Sequence, residues 1–194
     1  MKKKIIVSFS AVAAITAVFT LLLSSRKMVS ESDRVPASEE VTAFNYERLE
    51  GGLRTLVSGE AATISEDSNT VKKPAARFET ADNKIILVDT GPEGTAEISL
   101  DSETGRIEQM VLKGGVKITR KDRKSGQTEF TAESERADFE YAKQEIILTG
   151  KPVVRQGENE FRGEIIRYLL KDGKIYIDKY ASGKIYYEEK KPSP

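Results

Sequence analysis

Carboxylates are the main proton-transferring groups in this chain, because histidine, cysteine and tryptophan are all absent. Two close pairs, Glu133 with Glu135 and Glu158 with Glu160, have the spacing of a general acid and its base. Both pairs sit among Lys and Arg, which reads as a solvated face. Without imidazole or thiolate there is no ordinary nucleophile, no zinc ligand set and no disulfide. No phosphate-binding glycine loop, serine elbow or calcium loop occurs. Gly91-Pro92-Glu93-Gly94 and Lys113-Gly114-Gly115 read as hairpin connections. The basic run Arg120-Lys121-Asp122-Arg123-Lys124 reads as an exposed hairpin tip able to touch an anionic lipid headgroup. The expectation is a protein that is not an enzyme and needs neither metal nor cofactor. With 31 basic and 31 acidic side chains the formal charge is zero, so no global field draws the chain to nucleic acid.

What remains to explain is apolar patterning, which has two textures. Residues 5 to 25 are uncharged throughout. At about 1.5 Å per helical residue the run reaches the roughly 30 Å of a bilayer core. It exceeds the apolar region of a cleaved signal, and no small-x-small site follows it. A retained transmembrane helix is expected over 5–25, with residues 1–4 (three of them lysines) as a cytoplasmic tail. Residues 26–43 are polar, contain Pro36, and read as a stalk. The expected location is the inner membrane, single-pass, with the C-terminal domain in the periplasm.

From 44 to 188 the chain changes to short β-rich runs about ten residues apart, broken by Gly, Asp, Asn and Pro. The runs are 53–58, 75–80, 84–88, 95–100, 106–112, 116–120, 128–132, 137–141, 145–148, 152–156, 160–167, 174–178 and 184–187; residues 189–194 form a tail. The fold class expected is all-β. Some runs repeat in order: 129–133 matches 160–164, 137–141 matches 166–170, and 145–148 matches 174–177. A weaker copy runs from 96–100 through a turn to Arg106-Ile107. Co-linear copies of strands and turns imply stacked β units sharing one interior. Strand alternation turns Phe130, Phe139, Tyr141, Ile146, Leu148, Val154, Phe161, Ile166, Tyr168 and Leu170 to that interior. They either fill a closed core or line a groove for acyl chains.

One stretch resembles a known repeat. Leu148-Thr149-Gly150-Lys151-Pro152-Val153, then Gln156-Gly157-Glu158-Asn159, Gly163, Ile166 and Tyr168, then Asp172-Gly173-Lys174, is similar to the OstA-like repeat of the lipopolysaccharide-export family that includes LptA and LptC. The layout of basic tail, span, stalk and β domain is similar to LptC. The resemblance implies a twisted β-jellyroll that holds lipid acyl chains. It also implies a place between the inner-membrane ABC exporter (LptB, LptF and LptG) and LptA, with lipopolysaccharide as cargo. An open jellyroll leaves unpaired edges through which two domains can join. Candidate edges are Leu53 and Leu56 at one end, and Ile175, Ile177, Ile185 and Tyr187 at the other.

Overall fold

The computed structural model describes residues 39–64 and 69–184. The expected transmembrane helix and the tails lie outside these residues, as do Ile185 and Tyr187. No helix among the described residues is long and apolar enough to cross a membrane.

The described chain forms fourteen strands: β1 (Glu39–Glu50), β2 (Leu53–Ile64), β3 (Asn69–Lys72), β4 (Ala75–Glu79), β5 (Lys84–Thr90), β6 (Thr95–Leu100), β7 (Ile107–Asp122), β8 (Thr128–Glu140), β9 (Glu145–Thr149), β10 (Val153–Gln156), β11 (Asn159–Arg162), β12 (Ile165–Leu169), β13 (Lys174–Asp178) and β14 (Ser182–Lys184). All pair antiparallel in one sheet. The register shows how that sheet folds on itself. The first part of β7 pairs with β6 and its second part with β5, while β8 faces both parts. In the same way β8 hands over from β10 to β9, and β2 from β4 to β3. The result is a meander of bent strands that all cross one corner. On one side lie the start of β1, the end of β2, β3, β6, the start of β7, the end of β8, β9, β12 and β13, called here layer I. On the other lie the remaining halves with β4, β5, β10, β11 and β14, called layer II.

The corner depends on backbone that can turn sharply. Gly114 and Gly115 have φ of 94° and 80°, Gly150 and Lys151 of 76° and 57°, and Lys179 and Tyr180 of 56° and 49°. These left-handed residues interrupt the strands and let them change layer. Backbone hydrogen bonds join successive corners: Gly91 N–H donates to the carbonyls of Gly114 and Gly115, Glu135 N–H to Gly150, and Glu164 N–H to Lys179. Hence 91–94 and 113–115 are not hairpin connections, contrary to the sequence expectation. Both cross between layers, because their neighbours on either side belong to different halves of the sheet. For the same reason 106–112 merges with 116–120, and 128–132 with 137–141, while 160–167 divides into β11 and β12. β1 begins at Glu39, within the stretch read as a stalk, and β3 had no clear sequence signal.

Alternation then does what the pattern requires. The inward faces of both layers meet in one apolar interior running from Leu53 and Val57 to Ile166 and Leu170. Phe78 of layer II meets Phe139 of layer I at 4.7 Å between ring centroids, and Phe130 meets Tyr168 edge-on at 5.1 Å. Such contacts between layers hold the fold closed like a sandwich. The repeat is structural as well: each copy supplies a strand in layer II, a corner, and a hairpin in layer I.

Gly114 tests the corner directly. A Cβ there would sit 2.9 Å from the Gly94 Cα, on backbone whose φ already excludes most side chains. Gly114→Ala is expected to cost about 1–3 kcal/mol, read as a lower urea midpoint. Gly126→Ala is the control, since its Cβ meets nothing within 4 Å although its φ is also positive; it should cost clearly less.

Candidate functional site

The interior is the candidate site. Each residue proposed from alternation is placed on the inward face of its strand, and all but Phe161 are buried; exposure runs from 0% at Ile166 to 8% at Tyr141. Phe161, on β11, is half-buried beside Gly183 of β14. Val154 of β10 pairs with both Ala132 and Phe161, bringing β8, β10 and β11 into one inward row. Ile146, Tyr168 and Ile175 form the equivalent row across β9, β12 and β13. The interior thus passes from strand to strand along the meander.

It reaches an edge at each end. At the C-terminal end β13 pairs only with β12 among the described residues, and Ile175 and Ile177 on it pack partly buried against the core. At the other end the sequence reading needs correction. Leu53 and Leu56 lie on β2, which is hydrogen-bonded to β1 on one side and to β3 and β4 on the other. The Gly51-Gly52 turn folds β1 back onto β2, so β1 takes the edge and Leu53 becomes core at 2% exposure.

Opposite the corner the layers meet at a polar rim. Arg120 has the inward parity of Val116 and Ile118, and its guanidinium lies 5.9 Å over the Tyr168 ring while donating to the Gly173 carbonyl at 3.2 Å. Arg48 of β1 lies 4.3 Å over the Tyr141 ring in the same fashion. Each contact joins a layer II guanidinium to a layer I ring. A cavity of about 440 Å³ opens beside Arg48 and Tyr141, bounded by the β6–β7 and β8–β9 turns. Sequence reasoning missed these arginines: Arg120 was assigned to the exposed tip, although it continues an alternating inward series. The remainder of that run, from Arg123, does turn at an exposed tip.

Two of the four carboxylates singled out in the sequence share one arginine. Glu133 and Glu160 both bind the Arg155 guanidinium at 3.0 Å, on the outer face of layer II. Ion pairing to Arg162 and Arg155 holds the Glu160 carboxyl below its ordinary range. Among the described residues no group of acidic side chains is placed to hold a metal ion.

A two-layered antiparallel jellyroll with unpaired edge strands, an unbroken apolar interior and a polar rim is the class that this fold and site define. The chain belongs to the family of LptA/(LptD N-terminal domain) lipopolysaccharide transport proteins, whose model it matches over residues 54–174. That match runs from β2 to the start of β13. Among solved structures the chain is similar to a crystal structure of LptH, the LptA-homologous periplasmic component of the lipopolysaccharide transport device of Pseudomonas aeruginosa. The identity is 13%, the TM-score is 0.46, and the match covers 81% of this chain and 100% of that one. No curated protein matches the sequence.

Tyr168 gives the interior a pH signature. Its hydroxyl is buried without a hydrogen-bond partner, and burial pushes its pKa up to about 12. The unfolded chain releases this proton near pH 10, earlier than the folded one. The contribution is therefore fully present below pH 10 and is lost as pH rises towards 12. Tyr168→Phe should keep or slightly raise stability at pH 7, because it removes an unpaired buried hydroxyl. Urea midpoints from pH 9 to 12 should fall less steeply in the variant than in the parent.

Proposed function

We propose that this chain is an inner-membrane-anchored, LptC-like component of lipopolysaccharide export. It takes lipopolysaccharide from the ABC exporter formed by LptB, LptF and LptG and passes it to LptA, and it catalyses no reaction. The observation that carries this reading is the continuous apolar interior running between two strand edges within a lipopolysaccharide transport fold. A lipid with several acyl chains needs a long apolar path, and a folded sheet with both ends open provides one without exposing the chains to water. The edges β1 and β13 would extend the path by pairing with the strands of neighbouring jellyrolls, whose backbone groups satisfy their own. The span at 5–25 would keep the domain beside the exporter. The order of transfer follows from the anchor: the β1 end faces the membrane partner, and the β13 end faces LptA.

A second reading is supported by the close ring contacts between layers. A core that stays shut makes the protein a tethered adaptor that binds partners through its edges and carries no lipid. The rims decide between them, since entry of acyl chains requires Phe78 to part from Phe139 and Phe130 from Tyr168.

A photo-crosslinking amino acid placed at Phe139, with Ile147 on the outer face of the same layer as control, separates the two in cells making lipopolysaccharide. The transfer reading expects an adduct at 139 that depends on an active exporter, and none at 147. A folded, membrane-bound protein silent at 139, 146 and 161 would support the adaptor. Single cysteines at Tyr176 of β13 and in LptA give a further measure, because this chain has none of its own.

A further inference from the structure

An amphiphile held by its chains needs its headgroup met where the chains emerge, and the rim of layer II gathers charge at that place. Arg54 opens β2, Arg77 and Glu79 close β4, and Arg123 lies in the β7–β8 hairpin. All three guanidiniums converge on one carboxylate: Arg77 binds Glu79 through Nε at 2.8 Å and Nη2 at 2.7 Å, Arg123 through Nη1 at 3.4 Å and Arg54 through Nη1 at 3.6 Å. Arg54 also binds Glu47 at 2.7 Å. The Glu79 side chain is 9% exposed, whereas those of Arg54, Arg77 and Arg123 are 42%, 42% and 53% exposed. The carboxylate is thus beneath and the guanidiniums are outermost.

Register adds to the cluster. Arg54 pairs with Glu79, Glu79 with Ile85, and Ile85 with Lys121, so these residues form one row across β2, β4, β5 and β7 on the outer face. Lys124 follows Arg123 in the exposed turn, where only its backbone N–H is bound, to Asp122. Arg54, Arg77 and Arg123 therefore share two carboxylates, Glu47 and Glu79, while Lys121 lies on the same row and the neighbouring Asp122 is paired with Lys84. A purely structural network around Glu79 needs one partner, and Arg77 already grips it with two donors. The others leave donors free towards solvent.

The position links this charge to the interior. Leu53, next to Arg54, and Phe78, between Arg77 and Glu79, are inward and buried. One residue along a strand, about 3.3 Å, separates the apolar face from the guanidinium face. We infer that Arg54, Arg77 and Arg123 form a phosphate-binding site for the headgroup of the lipid whose acyl chains lie between the layers. Planar, permanently charged guanidiniums suit phosphate oxygens, which accept two donors at once. This inference rests on the lipid-transfer reading and adds a determinant of which lipid is taken.

The test compares binding of bisphosphorylated and enzymatically dephosphorylated lipid A to the full-length protein in a neutral detergent. The parent should prefer the phosphorylated form, with a preference that weakens as salt rises. Arg123→Gln, in an exposed turn, and Arg54→Gln, at the start of β2, should each reduce that preference about tenfold while leaving affinity for the dephosphorylated lipid unchanged. A preference unaltered in both variants, with folding confirmed by circular dichroism, overturns the site. Binding of neither lipid overturns the transfer reading itself. Inorganic phosphate separates the sources: competition at millimolar concentration that is lost in Arg123→Gln supports the same phosphate chemistry. Phosphate binding without any lipid preference overturns the headgroup assignment.

Discussion

A single antiparallel sheet has two faces, and strands this rich in Ile, Val and Phe cannot leave one of them in water. With no helix among the described residues to cover it, the sheet covers itself by bending every long strand at the same level. The bend depends on left-handed residues at 114–115, 150–151 and 179–180 and on the backbone bonds that link one corner to the next. Everything else follows from that line. It puts Phe78 opposite Phe139 and Phe130 opposite Tyr168, although each pair belongs to distant turns of the meander. It also leaves the opposite side as a rim where chain reversals, charges and the Arg–Tyr contacts collect.

The same geometry accounts for the division of labour among side chains. Alternation sends apolar residues inward and charges outward along each strand, and the rim is where the two sets come closest. Arg48 and Arg120 take inward positions there because beyond them lies solvent. Their guanidiniums cover tyrosine rings while keeping polar partners, Glu50 for Arg48 and Asp82 and Glu129 for Arg120. Edges are the other consequence. A meander that is not closed into a barrel ends in strands with unspent backbone donors and acceptors; among the described residues these are β1 at one end, and β13 of layer I and β14 of layer II at the other. A fold with a long interior and two adhesive ends is suited to extension by further copies of its own architecture.

Much of this was legible before the structure. The all-β class, the inward set from Phe130 to Leu170, the repeat and the free β13 edge follow from a period of two and from turn residues. Those signals are local: each strand carries its own alternation, and a repeated segment repeats its fold. The matched copies kept their meaning because each uses the same corner and hairpin. The resemblance centred on Leu148 to Lys174 located the family on the part of the chain where that pattern is sharpest.

What the tertiary structure alone decided is how strands are partnered and where the sheet turns. Gly91 to Gly94 and Gly114 to Gly115 carry the composition of hairpin loops, yet they cross a corner, because the neighbours that receive their backbone bonds are remote in sequence. Leu53 has the pattern of an edge strand and becomes core because Gly51 and Gly52 return β1 beside it. Arg120 reads as part of a basic tip and instead spans the layers, since its ring partner, Tyr168, arrives from another hairpin. Residue types and spacing determined which faces are apolar. Long-range pairing determined which residues share them, because a sheet register records contacts that no window of sequence contains.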